Sequence, residues 1–192
     1  MSKSVVNILI AFGLAAIVSF ALSTALSIGG DDPGLTPMLV GAAVAMVALV
    51  ALNNLSGNRA VKDASDEARA AALAFQPPAG QAALYVFRSG FIGKAAGMNI
   101  ALDEKTIAQL KSPRFTSLPI TPGAHKVLAS FGGGLASQSK PAEFSFEAAA
   151  GEIVALKVTM GFGAMQSPIQ IERVSADEAK TALASMRMVA PD

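Results

Sequence analysis

The sequence predicts an α-helical transmembrane hairpin followed by an all-β sandwich domain, small and immunoglobulin- or transthyretin-like, with a C-terminal helix. Three observations predict it. Residues 5–28 and 38–52 are apolar runs without a charged residue. A short turn containing Gly29, Gly30, Asp31, Asp32, Pro33 and Gly34 separates them. From Ala82 onward the hydrophobic period changes to two, with Gly and Pro turns between short runs.

A helix needs roughly 20 apolar residues to cross a bilayer core. The first run exceeds that length, and the second reaches it over residues 35–55. The expected organisation is a hairpin over residues 1–55, with spans at 5–28 and 35–55. A helical linker over 56–81 ends in Pro77-Pro78, a β-sandwich fills 82–175, and a C-terminal helix and tail occupy 176–192.

Composition agrees. Of 192 residues, 52% are hydrophobic and 15% charged, against about 25% charged in ordinary soluble domains. Mean hydropathy is +0.48. The net charge of +1 creates no strong field, and no basic stripe interleaves with aromatic platforms, so a nucleic-acid partner is not expected. With no cysteine and one histidine, disulfides, thiolate or multi-histidine metal sites and lipoprotein acylation are excluded. No cofactor is expected.

Signal-peptide apolar cores run to about 7–15 residues. The longer first run favours an uncleaved anchor, with Ala21-Leu22-Ser23 and Ala25-Leu26-Ser27 as the sites at which cleavage is the alternative. Thr36 is expected to cap the second helix and Pro37 to occupy its first position. Ala11, Ala15, Ser19, Ser23 and Ser27 form a stripe of small residues, answered by Gly41, Ala45 and Ala48. Such stripes let helices approach closely in lipid, within a hairpin or a homo-oligomer. Neither span holds an ionisable residue, which favours an anchor over a transporter. Lys3 precedes the spans, Arg59, Lys62 and Arg69 follow them, and the turn has only acids. Both termini and the β domain are therefore expected to be cytoplasmic.

The connector suggests a solvated spacer helix, capped by Asn58 or Ser65 and reaching Phe75, with Val61, Ala68, Ala72 and Phe75 near one face. Strands are expected at 84–88, 98–102, 106–110, 115–120, 125–131, 143–147 and 153–160, and around Ile169 and Ile171. Ser175-Ala176-Asp177-Glu178 is a capping box, opening a helix to about Met188 whose apolar face is Ala179, Ala182, Leu183 and Met186.

Tyr85-Val86-Phe87-Arg88, Gly93, Leu102-Asp103-Glu104-Lys105, Ile107, Leu110, Phe115 and Pro122-Gly123-Ala124-His125 together carry a resemblance. They resemble the bacterial domain-of-unknown-function family 2846 over residues 82–184, and the Pro-Gly-x-His turn is the most specific part. Glu104 stands where that pattern has a hairpin glycine, and a membrane hairpin replaces the lipid anchor of many members. The resemblance implies a fold and no established activity. It also implies an envelope setting, with a periplasmic β domain as the alternative to the cytoplasmic placement from charge.

Pro122 fixes φ and Gly123 supplies φ > 0, so this segment reads as a turn. His125 is expected to brace it, since nothing in the sequence pairs with that histidine as base or ligand. Asp103 and Glu104 read as solvated turn residues. No Gly-x-Ser-x-Gly elbow is present, and the 90–95 segment lacks the spacing and the Ser or Thr of a phosphate loop. Two loops, 90–98 and 160–165, are unusually apolar. Phe91, Ile92, Phe162 and Met165 are expected either to contact a partner or the bilayer or to close the end of the core.

The sequence thus points to a membrane-anchored binding or scaffolding module of the bacterial inner membrane and cell envelope, without catalytic activity. Its partners would be the lipid bilayer and an unidentified protein or envelope ligand. The alternatives are a hydrolase-like enzyme with a site around His125 and a small oligomeric membrane assembly.

Overall fold

The computed structural model describes residues 3–161 and 167–192. The chain forms two compact units, Met1–Ser56 and Gly57–Asp192.

The first unit is a pair of long apolar helices, α1 (Lys3–Ile28) and α2 (Thr36–Leu55). Each is long and apolar enough to cross a membrane by length and composition. Glycine ends α1: Gly30 has φ +85°, and Asp31 N–H reaches back to the Leu26 carbonyl at 3.0 Å, satisfying carbonyls that the last turn leaves open. The expected Thr36 cap is not made. Leu35 is already in helical backbone and occupies the capping position without a side-chain bond. That places Thr36 inside the helix rather than at its flank. Pro37 does fall in the first turn.

Most of the small-residue stripe is used within this pair. Ala11 is fully buried, and Ala15, Ser19 and Ser23 are half-buried. Gly41 meets them: a β-carbon there would overlap Ser19 Oγ and lie 2.8 Å from the Ala15 carbonyl. Ser19 Oγ donates to the Pro37 carbonyl at 2.9 Å. Ala45 and Ala48 are also half-buried. Ser27, expected on the stripe, is exposed because the helices part into the turn there. The outer faces carry exposed Phe12, Ile17, Phe20, Met46 and Val47, with Phe20 75% exposed.

In the second unit, the helices are α3 (Asp66–Leu73) and α4 (Ala176–Leu183). The strands among the described residues are β1 (Ala82–Arg88), β2 (Met98–Leu102), β3 (Lys105–Leu110), β4 (Arg114–Ile120), β5 (Gly123–Phe131), β6 (Ser139–Lys140), β7 (Ala142–Ala148), β8 (Ile153–Met160), β9 (Ser167–Val174) and β10 (Arg187–Met188). One sheet has the order β10-β4-β1-β8-β9-β6, the other β3-β2-β5-β7. The all-β reading did not anticipate three parallel pairings, β1 with β8, β10 with β4 and β6 with β9, which make the larger sheet mixed. A parallel pair joins strands far apart in sequence, so no local turn signals it.

Every residue of β1 is buried, because β1 lies inside the larger sheet with both faces covered. Leu84 and Val86 join one apolar cluster with Met98, Ile100 and Val127 of the smaller sheet. Tyr85 and Phe87 point the other way, into a cluster with Phe75, Phe115, Ala179 and Leu183. The helices α3 and α4 thus cover the outer face of the larger sheet. Their starts follow the sequence: Ser65 Oγ accepts from Ala68 N, and Ser175 Oγ from Glu178 N.

Two expectations need correction. The C-terminal helix stops at Leu183 rather than near Met188, because residues 187–188 pair with β4 and Val189 N donates to the Phe115 carbonyl at 2.7 Å. Residues 57–81 are not a solvated spacer. Asp63 bridges to Val189, Ala64 N donates to the Met188 carbonyl at 3.0 Å, and Phe75 stacks on Tyr85 with ring centroids 4.5 Å apart. Asn58 caps no helix and bonds elsewhere in the unit.

Replacing Gly41 with leucine should force α1 and α2 apart. Amide exchange of the Ala15–Ser19 stretch in detergent or nanodiscs is expected to accelerate. Gly13→Leu, at a position with open space around it, should leave that exchange unchanged.

Candidate functional site

The site singled out by the sequence is the turn at Pro122-Gly123-Ala124-His125. Gly123 has φ +132°, a conformation only glycine adopts readily, so the chain reverses there into β5. His125 then sits two residues into the strand, opposite Phe146 of β7.

The His125 side chain is only 9% exposed. Nδ1 donates to Asp103 Oδ2 at 2.7 Å, and Nε2 donates to the Thr121 carbonyl at 2.8 Å. A carboxylate and a carbonyl are both acceptors, so the doubly protonated imidazole satisfies both contacts, whereas either neutral tautomer satisfies one. Burial works against that cation. It is outweighed by the hydrogen bonds to Asp103 and Thr121 and by the charges of Asp103 and Glu147, so the pKa of His125 is raised. Burial likewise opposes the Asp103 carboxylate, and the His125 and Lys126 hydrogen bonds and charges outweigh it, so its pKa is lowered. Asp103 Oδ1 also accepts from the Lys126 backbone N–H at 2.9 Å.

Asp103 is therefore the partner that sequence reasoning missed. It lies 22 residues away, at the tip of the β2–β3 hairpin. The pairing of that hairpin with β5 brings them together, since Leu102 faces Val127 and the next residue falls beside Lys126. The tip itself has Asp103 at φ +47° and Glu104 at φ +70°. Two consecutive positive φ values define the tight primed hairpin turn that favours Asp-Gly. Glu104 takes the second place under strain.

Around these residues lies an open depression of about 580 Å³, lined by Asp103, Ala124, His125, Lys126, Ser145, Phe146 and Glu147. It brings a histidine, a serine and acids into one neighbourhood. Strand alternation separates them: His125 and Phe146 point to one face of the smaller sheet, Ala124, Lys126, Ser145 and Glu147 to the other. Both histidine nitrogens are engaged, so neither offers a lone pair to a serine hydroxyl or a metal. Among the described residues no cluster of metal-ligating side chains occurs.

The other end of the unit carries the apolar loop. Phe91 is 80% exposed, with the Lys94 ammonium 4.8 Å from its ring centroid. Ile92 is half-buried. Phe162 and Met165 lie outside the described residues. The loop backbone is gripped by Arg88, itself 1% exposed. Its guanidinium donates to the carbonyls of Ala96, Leu110 at 3.1 Å, Ile92 at 3.5 Å and Gly93 at 2.7 Å. It also lies 4.9 Å over the Phe131 ring. Burial lowers its pKa to about 10, so it stays charged at neutral pH.

No family model matches the chain. An uncharacterized protein of Haemophilus influenzae is 28% identical over 135 residues, 70% of this chain and 77% of the relative. A match of that length takes in much of the β unit, Gly57–Asp192.

Two outcomes follow. The His125 contribution to stability is full below its unfolded pKa of about 6.5 and is lost as pH rises through its raised folded value. The Asp103 contribution is full above about 3.9 and is lost as pH falls through its lowered folded value. The pair should stabilise most between those limits. In NMR of labelled protein, the single imidazole should titrate above about 6.5, and at or below it in Asp103→Asn. Separately, Glu104→Gly should relieve the turn. A gain of about 0.5–1 kcal/mol is expected, seen as a thermal midpoint raised by about 1–4 °C.

Proposed function

We propose that this chain is a membrane-anchored binding or scaffolding module of the bacterial cell envelope. In this reading α1 and α2 form a transmembrane hairpin in the inner membrane, and residues 57–192 form a small transthyretin-like β-sandwich. The observation that carries it is the outer surface of the helix pair. Phe12, Ile17, Phe20, Met46 and Val47 all point outward and exposed, which water does not tolerate over such an area and lipid does. A soluble helix pair would turn those side chains inward.

The sandwich reading is supported by one apolar cluster shared between two sheets. The central parallel pair β1–β8 departs from an immunoglobulin layout, whose sheets are antiparallel, and so favours the transthyretin-like alternative. The resemblance to family 2846 over residues 82–184 points the same way. Binding rather than hydrolysis is supported at His125, whose nitrogens are both committed to acceptors. Using the small-residue stripe inside the helix pair favours a self-contained anchor over an oligomeric assembly.

For orientation, Lys3, Arg59, Lys62 and Arg69 flank the spans while Asp31 and Asp32 occupy the turn. Positive flanks stay on the cytoplasmic side, so the β domain is cytoplasmic. Paired fusions after Asp192 test this. A fluorescent protein should light up, and alkaline phosphatase should be inactive. The reverse pattern would place the domain in the periplasm and turn the search for its ligand to the cell wall.

A further inference from the structure

The end of the β unit at which its chain enters is also the end that bears Phe91. Gly57 follows shortly after Leu55, the last residue of α2. It is fixed against the β5 end: a β-carbon on Gly57 would overlap the Gly132 backbone. Gln109 Nε2 donates to the Gly57 carbonyl at 2.9 Å. Asn58 then clasps the 89–97 loop, its Nδ2 donating to the Ala95 carbonyl at 3.0 Å and its Oδ1 accepting from Gly97 N at 2.5 Å.

That loop is held firmly on both sides of Phe91. Ser112 Oγ donates to the Gly90 carbonyl at 2.7 Å, and Ser112 N to the Lys94 carbonyl at 3.2 Å. Arg88 holds Ile92, Gly93 and Ala96. With its neighbours' backbone fastened, Phe91 projects with 80% of its surface exposed. Among the described residues, a large apolar ring so exposed contributes little to packing within the unit. Lys94 stands beside the ring, and Lys111 adjoins Ser112. An exposed aromatic ring with an ammonium beside it suits the boundary between acyl chains and anionic headgroups.

We propose that the 89–97 loop seats on an anionic lipid surface, with Phe91 inserted at the interface and Lys94 and Lys111 among the headgroups. The proposal rests on the reading of α1 and α2 as membrane spans.

The chain has no tryptophan, so single reporters can be introduced into the full-length protein in nanodiscs containing phosphatidylglycerol. Phe91→Trp should emit blue-shifted, and brominated acyl chains should quench it at least about twofold, the behaviour of a ring buried about 5–10 Å into the interface. Adding Lys94→Glu and Lys111→Glu should weaken that quenching. Ala150→Trp, on an exposed turn beside the start of β1, should stay unquenched. Val47→Trp, on the outer face of α2, reports the anchor itself. If the indole of Val47→Trp is quenched and that of Phe91→Trp is not, the lipid seat is wrong and the anchor stands. Quenching of the Phe91→Trp reporter that is unchanged by the two glutamates overturns the headgroup role of the lysines. If neither the helix reporter nor the loop reporter is quenched, both readings fail.

Discussion

The β unit depends on a buried cation, Arg88, that has no anionic partner among the described residues. Arg88 ends β1 in the larger sheet, and β2 begins in the smaller one, so the chain must cross between sheets over residues 89–97. A crossover of that length carries backbone carbonyls into the interior, where each needs a donor. One guanidinium, with its N–H groups in a fixed fork, supplies carbonyls of the loop and of Leu110 at the end of β3. A carboxylate partner would neutralise the charge but take up those donors. The charge is instead stabilised by carbonyl dipoles and the face of Phe131. Removing it would orphan several carbonyls at once, at about 1–3 kcal/mol each. Lysine would not repair the loss, since one ammonium cannot span the same set.

The same economy of buried polar groups closes the unit's ends. Gln109 is 2% exposed and satisfies Gly57, Asn99 and Arg59 together. The entering segment and the departing tail run side by side: Ala190 N donates to the Lys62 carbonyl, and Arg59 pairs with Asp192. Asp192 N in turn donates to the Ile107 carbonyl, covering part of the free edge of β3. An edge left open is a template for unwanted pairing, and here the two ends of the unit's own chain shield part of it.

Local periodicity made much of this fold legible. The strand over 98–102 and the strand over 153–160 have the expected ends, and the alternation of Phe144 and Phe146 gives the inward face of β7. What stayed hidden was non-local. Residues 57–64 carry no strong period, because their role is to donate and accept bonds along the edges of other elements. The two-residue strand β10 has no pattern to read. Met186 looked like a continuation of the helical face of Ala179, Ala182 and Leu183, because its spacing fits a helix period as readily as a tail packed on a sheet. At the candidate site, Pro122 and Gly123 announced the turn, but His125's partner lay on a hairpin whose register against β5 the sequence does not state.

The residues on which the proposed family resemblance rests hold shape. Tyr85 stacks on Phe75 and donates to the Ala72 carbonyl at 2.7 Å, pinning α3 to the sheet. Arg88 secures the crossover, Gly123 makes the turn, and His125 ties that turn to the β2–β3 hairpin through Asp103. None of them presents a free reactive group. The pattern is built from residues that hold shape, and on the proposed reading recognition falls to surfaces that it leaves unconstrained. On this chain those surfaces are the outward faces of the helix pair and the projecting loop at Phe91. Both are apolar, and an apolar surface held in place by a rigid backbone gains most where water is already excluded. This is the physical ground on which the proposed reading takes lipid, rather than a soluble small molecule, as the environment that such surfaces fit.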